Sequence, residues 1–186
     1  MNIMLLGPEN SPLVSYLAKY GLVRVVNYEL KPRDFVGYDY LVSYGYRHII
    51  SKDILDLFPT GRAVNLHTSY LPWNRGAYPN LWSWVDDTPK GVSIHILNEG
   101  LDSGPICNRQ LVDMDDNETL ASSYAKLNLA MVSLFKDTWP LAVANGGFVS
   151  NVHPIDSGSY HSKAQGEIVF SKLSNGWDTP AARLGL

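Results

Sequence analysis

Cysteine is nearly absent from this sequence, since the 186 residues contain only Cys107. One cysteine can form neither an internal disulfide framework nor a cysteine-rich metal site. Basic clusters are missing too: the formal net charge is −3, and charges of both signs are scattered along the chain. These absences exclude a disulfide scaffold and argue against nucleic-acid binding. A reducing, cytoplasmic location is the simplest expectation.

Long hydrophobic runs are also missing. The N-terminal "MNIMLLGPEN" contains an apolar stretch too short for a signal peptide or a membrane span. The composition, with 45% hydrophobic and 18% charged residues, is ordinary for a globular protein with a real core. We therefore expect one soluble, intracellular domain without a membrane partner.

Short apolar runs alternate with helical patterns along most of the chain. This alternation predicts an α/β fold with a mostly parallel, doubly wound sheet. The strands are predicted at "NIMLL", "LVRVVNY", "YDYLVSYG", "RAVNLH", "GVSIHILNEG" and "PICNRQLVDM". Helices are predicted over Ser11–Lys19, at "SKDILDLF" and "PNLWSWVDD", and over a long segment before Gly146 that is kinked or restarted near Pro140.

The character of the sequence changes after about residue 150, where it becomes polar, glycine-rich and weakly periodic. We predict a domain over residues 1–150 and a C-terminal extension over residues 151–186 that packs on the substrate side.

Polar residues gather where two predicted strands end. Asn65 and His67 project to the same side of their strand because side chains alternate. His95 shares a strand face with Ser93, and Asp102 follows in the next turn. Ligands of open α/β sheets bind beyond such strand ends. An amide, an imidazole and a carboxylate are thus expected to converge, although each residue alone is a weak signal.

The joint pattern of these segments resembles the folate-dependent formyltransferases. That family includes glycinamide ribonucleotide formyltransferase, methionyl-tRNA formyltransferase and the nucleotide-sugar N-formyltransferases. Its motifs are Asn-x-His, Ser-x-Leu-Pro, Gly-x-x-x-His and Asp-x-Gly-x-Ile, found here as Asn65–His67, Ser69–Pro72, Gly91–His95 and Asp102–Ile106. The resemblance spans roughly residues 1–145. It implies a Rossmann-like catalytic domain, 10-formyltetrahydrofolate as formyl donor, and Asn65, His67 and Asp102 as catalytic residues.

Formyl transfer to an amine explains why these residue types are needed. Asn65 and His67 can donate hydrogen bonds to the negative charge that develops on the formyl oxygen. His67 can also relay a proton, since histidine titrates near neutral pH. Asp102 can orient the His67 ring, stabilise its cation or hold a water that carries the proton. No metal is needed for this chemistry, and no metal site is predicted.

By resemblance, two segments should bind the cofactor and three residues the substrate. The pterin ring is expected against Tyr46, Arg47, His48, Ile49 and Ile50, and against Leu97, Gly100, Leu101 and Asp102. Ser69, Arg75 and Tyr78 are predicted to contact substrate. Core packing of Ile49 and Ile50, and loop-holding roles for Ser69 and Arg75, remain alternatives.

The amine acceptor is predicted from departures within the family. "GPENSPLVSYL" lacks the glycine-rich phosphate loop of the glycinamide ribonucleotide branch, and the chain has neither the length nor the charge expected for the methionyl-tRNA branch. "GSYHSK", residues 158–163, resembles a segment of sugar N-formyltransferases. A nucleotide-linked amino sugar is therefore expected. The alternatives are the other two acceptors, a 10-formyltetrahydrofolate hydrolase and a non-catalytic folate-binding module, and a homodimer stays open.

Overall fold

The architecture is an α/β fold, seen in a computed structural model that describes residues 1–150 and 158–184. The strands in this part of the chain are β1 (Asn2–Leu6), β2 (Leu22–Val26), β3 (Tyr40–Ser43), β4 (Ala63–His67), β5 (Arg75–Gly76), β6 (Gly91–Ile96), β7 (Ile106–Leu111) and β8 (Tyr160–His161). The α-helices are α1 (Val14–Leu17), α2 (Lys52–Leu55), α3 (Pro79–Val85), α4 (Leu120–Ala144) and α5 (Lys163–Ser171).

Six strands form the main sheet in the order β2-β1-β3-β4-β6-β7. β1 to β4 are parallel, while β6 runs antiparallel to both β4 and β7, so β6 alone points the other way within this sheet. Helices α1 and α4 cover one face, and α2 with a 3-10 turn at Pro32–Phe35 covers the other. The predicted mostly parallel, doubly wound sheet is confirmed.

The first helix is shorter than the predicted Ser11–Lys19. The chain before it forms turns, in which the Ser11 backbone N–H donates to the Pro8 carbonyl at 3.0 Å. The Ser11 hydroxyl accepts from the Leu13 N–H at 3.4 Å. These local bonds compete with helix formation, so the helix begins only at Val14.

Helix α4 is continuous through Pro140, where the sequence predicted a kink or restart. Proline has no N–H, so the carbonyl of Lys136 loses its usual helical partner. The Tyr16 hydroxyl donates to that carbonyl at 2.9 Å and replaces the missing bond. A tertiary contact from α1 thus helps the helix to tolerate its proline.

The described part of the C-terminal extension folds back onto the catalytic domain. A small core of Leu81, Leu120 and Ala181 joins it to α3 and α4. The predicted boundary near residue 150 borders residues 151–157, which, with residues 185–186, lie outside the described residues. The division into domain and extension therefore stays a prediction. In the described part of the chain, no helix combines the length and apolar character needed to cross a membrane.

Candidate active site

The register between β4 and β6 builds the site. Asn65 pairs with His95 and His67 pairs with Ser93 in this antiparallel ladder. Because alternate side chains share a face of the sheet, the four side chains form one polar patch. This register brings together residues that are about thirty positions apart in the sequence.

Asp102 completes the cluster from the turn after β6, where its φ of +49° is in the left-handed region. Its Oδ1 accepts from Asn65 Nδ2 at 3.0 Å, and its Oδ2 accepts from the Gly76 N–H at 2.9 Å. His95 Nε2 lies 3.3 Å from Oδ1, and His67 Nδ1 lies 3.6 Å from Oδ2. The three predicted catalytic residues are therefore in contact, and the structure adds His95 and Gly76.

The Asp102 carboxylate is the charged centre of the site, with its side chain only 9% exposed. Burial by itself raises the pKa of Asp102. The charge of His67, the hydrogen bond and charge of His95, and the Gly76 N–H together outweigh burial and hold that pKa well below its usual range. Asp102 is therefore ionised at neutral pH and can stabilise a neighbouring imidazolium.

The partners of His67 determine where its hydrogen resides. His67 Nε2 lies 3.0 Å from the Asn74 carbonyl oxygen, which can only accept. Nε2 must then carry the hydrogen, and the lone pair of a neutral ring sits on Nδ1, beside Asp102. This arrangement makes Nδ1 the proton-accepting atom of His67.

Asn65 is engaged through its amide nitrogen. Nδ2 lies 3.0 Å from Asp102 Oδ1 and 3.3 Å from His95 Nε2. His95 Nδ1 donates to the Ile96 carbonyl at 3.0 Å, so His95 Nε2 accepts from Asn65 when the ring is neutral and donates to Asp102 Oδ1 when the ring is protonated. Asn65 must release one of these partners before it can donate to a formyl oxygen, so its predicted oxyanion role stays a prediction.

The loop between β4 and β5 is held by hydrogen bonds. Ser93 Oγ accepts from the Leu71 N–H at 3.0 Å and donates to the Ser69 carbonyl at 2.8 Å. Arg109 Nη1 donates to the Leu71 carbonyl at 2.6 Å. Ser69 is 1% exposed and donates to the Trp73 carbonyl at 2.7 Å, which fits the loop-holding alternative, and its predicted contact with substrate stays a prediction.

Sequence reasoning missed the loop-holding role of Arg109. Its guanidinium lies over the Tyr70 ring at 4.4 Å in addition to its bond to the loop. Arg109 pairs with Ser93 across the β6–β7 ladder. Its position two strands away from β4 gave no local signal for this contact.

The predicted cofactor residues divide into packed and exposed members. The Tyr46 hydroxyl donates to the Tyr28 carbonyl at 3.0 Å. Ile50 and Leu97 pack against the core on the face of the sheet that α2 covers. Ile49 and Leu101 are 85% and 53% exposed. Arg47, His48 and Gly100 are exposed as well. The exposed apolar side chains can pack against a bound aromatic ring.

A cavity of about 440 Å³ opens on the same face of the sheet as Asn65. Of the predicted cofactor residues, Leu97 and no other lines it among the described residues. Its remaining walls come from α2 and the segments around it: Lys52, Leu55, Asp56, Phe58, Pro59, Thr60, Gly61, Ala63, Ile96, Asn98 and Glu99. Sequence reasoning missed this lining.

Arg75 and Tyr78 lie on the side covered by the C-terminal extension. Arg75 Nε is buried and has no hydrogen-bond partner among the described residues. The Tyr78 ring stacks on Phe170 at 6.2 Å and packs in the small core. The structure therefore shows Tyr78 in a packing role, while Arg75 keeps an unpaired polar edge.

No metal centre is seen over residues 1–150 and 158–184: no group of three or more His, Cys, Asp and Glu side chains is arranged to hold a metal ion. The histidines near Asp102 are instead paired with the carboxylate or with backbone carbonyls.

A Rossmann-like sheet with a partly buried Asn–His–Asp cluster at a strand end defines an α/β enzyme domain suited to proton relay. The model of the formyl transferase family matches residues 31–137. The chain belongs to the formyl transferase family.

Solved structures resemble the whole chain. The formyltransferase PseJ from Anoxybacillus kamchatkensis is 40% identical, with a TM-score of 0.92, and the alignment covers 99% of this chain and 97% of that one. PseJ was crystallised with UDP-4,6-dideoxy-4-formamido-L-AltNAc and tetrahydrofolate. A 4-N formyltransferase from Francisella tularensis shares the fold at 20% identity and a TM-score of 0.78, over 98% of this chain and 85% of that one.

A curated relative matches a shorter region. Methionyl-tRNA formyltransferase from Myxococcus xanthus is 43% identical over 90 residues. That match covers 48% of this chain and 28% of the relative, so the chain matches well under half the length of that protein.

Proposed function

We propose that this protein transfers a formyl group from 10-formyltetrahydrofolate to the primary amine of a nucleotide-linked amino sugar. The contact of Asn65 and His67 with an ionised Asp102 carries the proposal, because formyl transfer needs a proton relay beside the reacting carbon. The likeness to PseJ along nearly its whole length favours an amino sugar as acceptor. Met-tRNA is less well supported as acceptor, because the match to methionyl-tRNA formyltransferase covers only 28% of the length of that enzyme.

In this reaction the substrate amine forms a bond to the formyl carbon, the bond from that carbon to the folate nitrogen breaks, and a proton passes from the amine to that nitrogen. 10-Formyltetrahydrofolate supplies the formyl group. His67 accepts the amine proton at Nδ1, because Nε2 is occupied by the Asn74 carbonyl. Asp102, 3.6 Å away, stabilises the imidazolium until the proton is passed on.

The two ligands are assigned to different parts of the site. Tyr46–Ile50 and Leu97–Asp102 are proposed to hold the pterin, with Ile49 and Leu101 packing against the ring. Arg75 is proposed to contact the anionic nucleotide, because its Nε has no hydrogen-bond partner among the described residues. A cytoplasmic location and the absence of nucleic-acid binding are part of the same proposal and rest on the sequence, while a homodimer stays open.

The test is release of tetrahydrofolate, followed by absorbance, with nucleotide-linked amino sugars, glycinamide ribonucleotide, Met-tRNA or no acceptor. We expect turnover only with an amino sugar. Turnover without acceptor would identify a hydrolase, and turnover only with Met-tRNA or glycinamide ribonucleotide would identify another branch. Folate binding without any turnover would favour a non-catalytic module.

The matched variant for this assay is His67→Asn. It removes the proton relay, and we expect turnover to be abolished while affinity for the folate, measured by calorimetry, stays within about threefold. Activity close to that of the wild type would show that His67 is not the proton relay.

A further inference from the structure

Asn74 connects the catalytic histidine to the rest of the loop. It is fully buried, with a φ of +57° in the left-handed region. Its carbonyl accepts from His67 Nε2 at 3.0 Å, and its Nδ2 donates to Thr88 Oγ1 at 2.7 Å. This carbonyl therefore favours a hydrogen on Nε2 of His67, against the Asp102 carboxylate, which lies 3.6 Å from Nδ1.

Ser159, in the C-terminal extension, closes a bridge on Asn74. The Asn74 N–H donates to Ser159 Oγ at 2.8 Å, and Ser159 Oγ donates to Asn74 Oδ1 at 3.0 Å. Because Asn74 is buried, losing this hydroxyl would leave a donor and an acceptor without partners. The bridge thus favours an otherwise uncommon backbone conformation at Asn74.

The same segment orients the peptide plane that carries the carbonyl. The Arg75 N–H, which shares this plane with the Asn74 carbonyl, donates to the Ser159 carbonyl at 3.0 Å. The next N–H, that of Gly76, donates to Asp102 at 2.9 Å. Strand β8 is paired with β5 in parallel. The peptide groups before and after Arg75 therefore have Ser159 and β8 on one side and His67 and Asp102 on the other.

Close contacts keep the extension against the loop. A Cβ on Gly76 would lie 2.3 Å from the His161 carbonyl oxygen, and one on Gly166 would lie 2.2 Å from the Tyr78 ring. Only glycine permits these distances, so the His161 backbone can lie against Gly76 and the Tyr78 ring against Gly166. The extension is therefore packed directly on the loop that supports His67.

We propose that Ser159 is a positioning residue for His67: its hydroxyl holds Asn74 so that the Asn74 carbonyl keeps the hydrogen of His67 on Nε2 and the lone pair on Nδ1. The catalytic consequence rests on the proposed function, while the effect on the histidine ring does not. Ser159 contacts no reacting atom in this scheme and acts through Asn74.

The test uses Ser159→Ala, with Ser159→Thr to restore the hydroxyl and Ser171→Ala as the matched control. Ser171 is exposed at the end of α5, where its hydroxyl donates only to the Ile168 carbonyl. Ser159→Ala keeps the backbone carbonyl that pairs with Arg75, so the fold is expected to persist, as checked by circular dichroism. Nitrogen-15 NMR of the imidazole rings reports the tautomer of His67.

We expect Ser159→Ala to reduce the Nε2–H population of His67 and to lower kcat about tenfold, with KM for both substrates within about twofold. Ser159→Thr should recover both properties, and Ser171→Ala should change neither. An unchanged histidine spectrum in Ser159→Ala would overturn the proposal even if kcat fell, because the serine would then only tie down the extension. If the wild-type protein proves inactive, the NMR comparison still decides the role of Ser159.

Discussion

Asp102→Asn is the most informative change, because it keeps the shape of the side chain and removes its charge. The carboxylate accepts N–H groups from Asn65 and Gly76, one on each oxygen. An amide offers a single acceptor oxygen, so one of these donors would face an NH₂ group in the variant. The charge that stabilises the His67 imidazolium would be lost in either orientation.

The expected loss can be worked out from these contacts. A hydrogen bond to a charged group contributes about 1.5–3 kcal/mol, and a buried donor left unpaired costs about 1–3 kcal/mol. We therefore expect Asp102→Asn to lower the free energy of unfolding by about 3 kcal/mol. Without a carboxylate to stabilise the cation, kcat should fall by about 10²–10⁴-fold. Folate affinity should change little, since the proposed pterin contact of the Leu97–Asp102 turn is made by its backbone, which the substitution keeps.

The effect on stability should depend on pH in a defined direction. Folding lowers the pKa of Asp102, so the carboxylate contributes stability above its unfolded pKa of about 3.9 and loses it as pH falls towards the folded pKa. The difference in unfolding free energy between wild type and Asp102→Asn should shrink as the pH falls below about 5. Urea unfolding between pH 3 and 8 measures this difference.

The matched control is Asp116→Asn, which makes the same change at an exposed position. It should alter stability by no more than about 0.5 kcal/mol and leave kcat unchanged. The reasoning would be refuted if Asp102→Asn kept wild-type kcat, or if its stability deficit grew as the pH was lowered below about 5.

Two further predictions concern the core. Trp139 is fully buried among Tyr40, Phe135 and Phe148, so Trp139→Ala should lower the free energy of unfolding by about 3–5 kcal/mol in urea titrations. Leu129→Ala, on the exposed side of the same helix, should lower it by no more than about 0.5 kcal/mol. Similar losses in the two variants would contradict the burial of Trp139. Burial raises the pKa of the Cys107 thiol to about 12. A thiol reagent at pH 8 should therefore label the folded protein slowly and the urea-unfolded protein fast. Equal labelling rates would show that the thiol is accessible in the folded protein.

Much of the fold could be predicted from local pattern. Apolar runs placed the six strands of the main sheet, and period-two alternation correctly put Asn65 and His67 on one face of β4. The resemblance of its short motifs to those of the formyltransferases also indicated the family that the comparisons confirm. These features depend on residues that are close in sequence, which is why the sequence could reveal them.

The tertiary structure decided the features that depend on contacts between distant segments. The antiparallel register of β6 set His95 opposite Asn65, and a hydroxyl from α1 helped α4 to tolerate Pro140. Ser159 lies 85 residues from Asn74 and yet bonds to it beside the active site. Local periodicity carries no information about such pairings, because strand register and loop packing are set by the whole core. The sequence by itself determined the strands of the main sheet and the motif residues, whereas only the folded chain determined β5, β8 and α5 and the hydrogen bonds that orient the motif side chains.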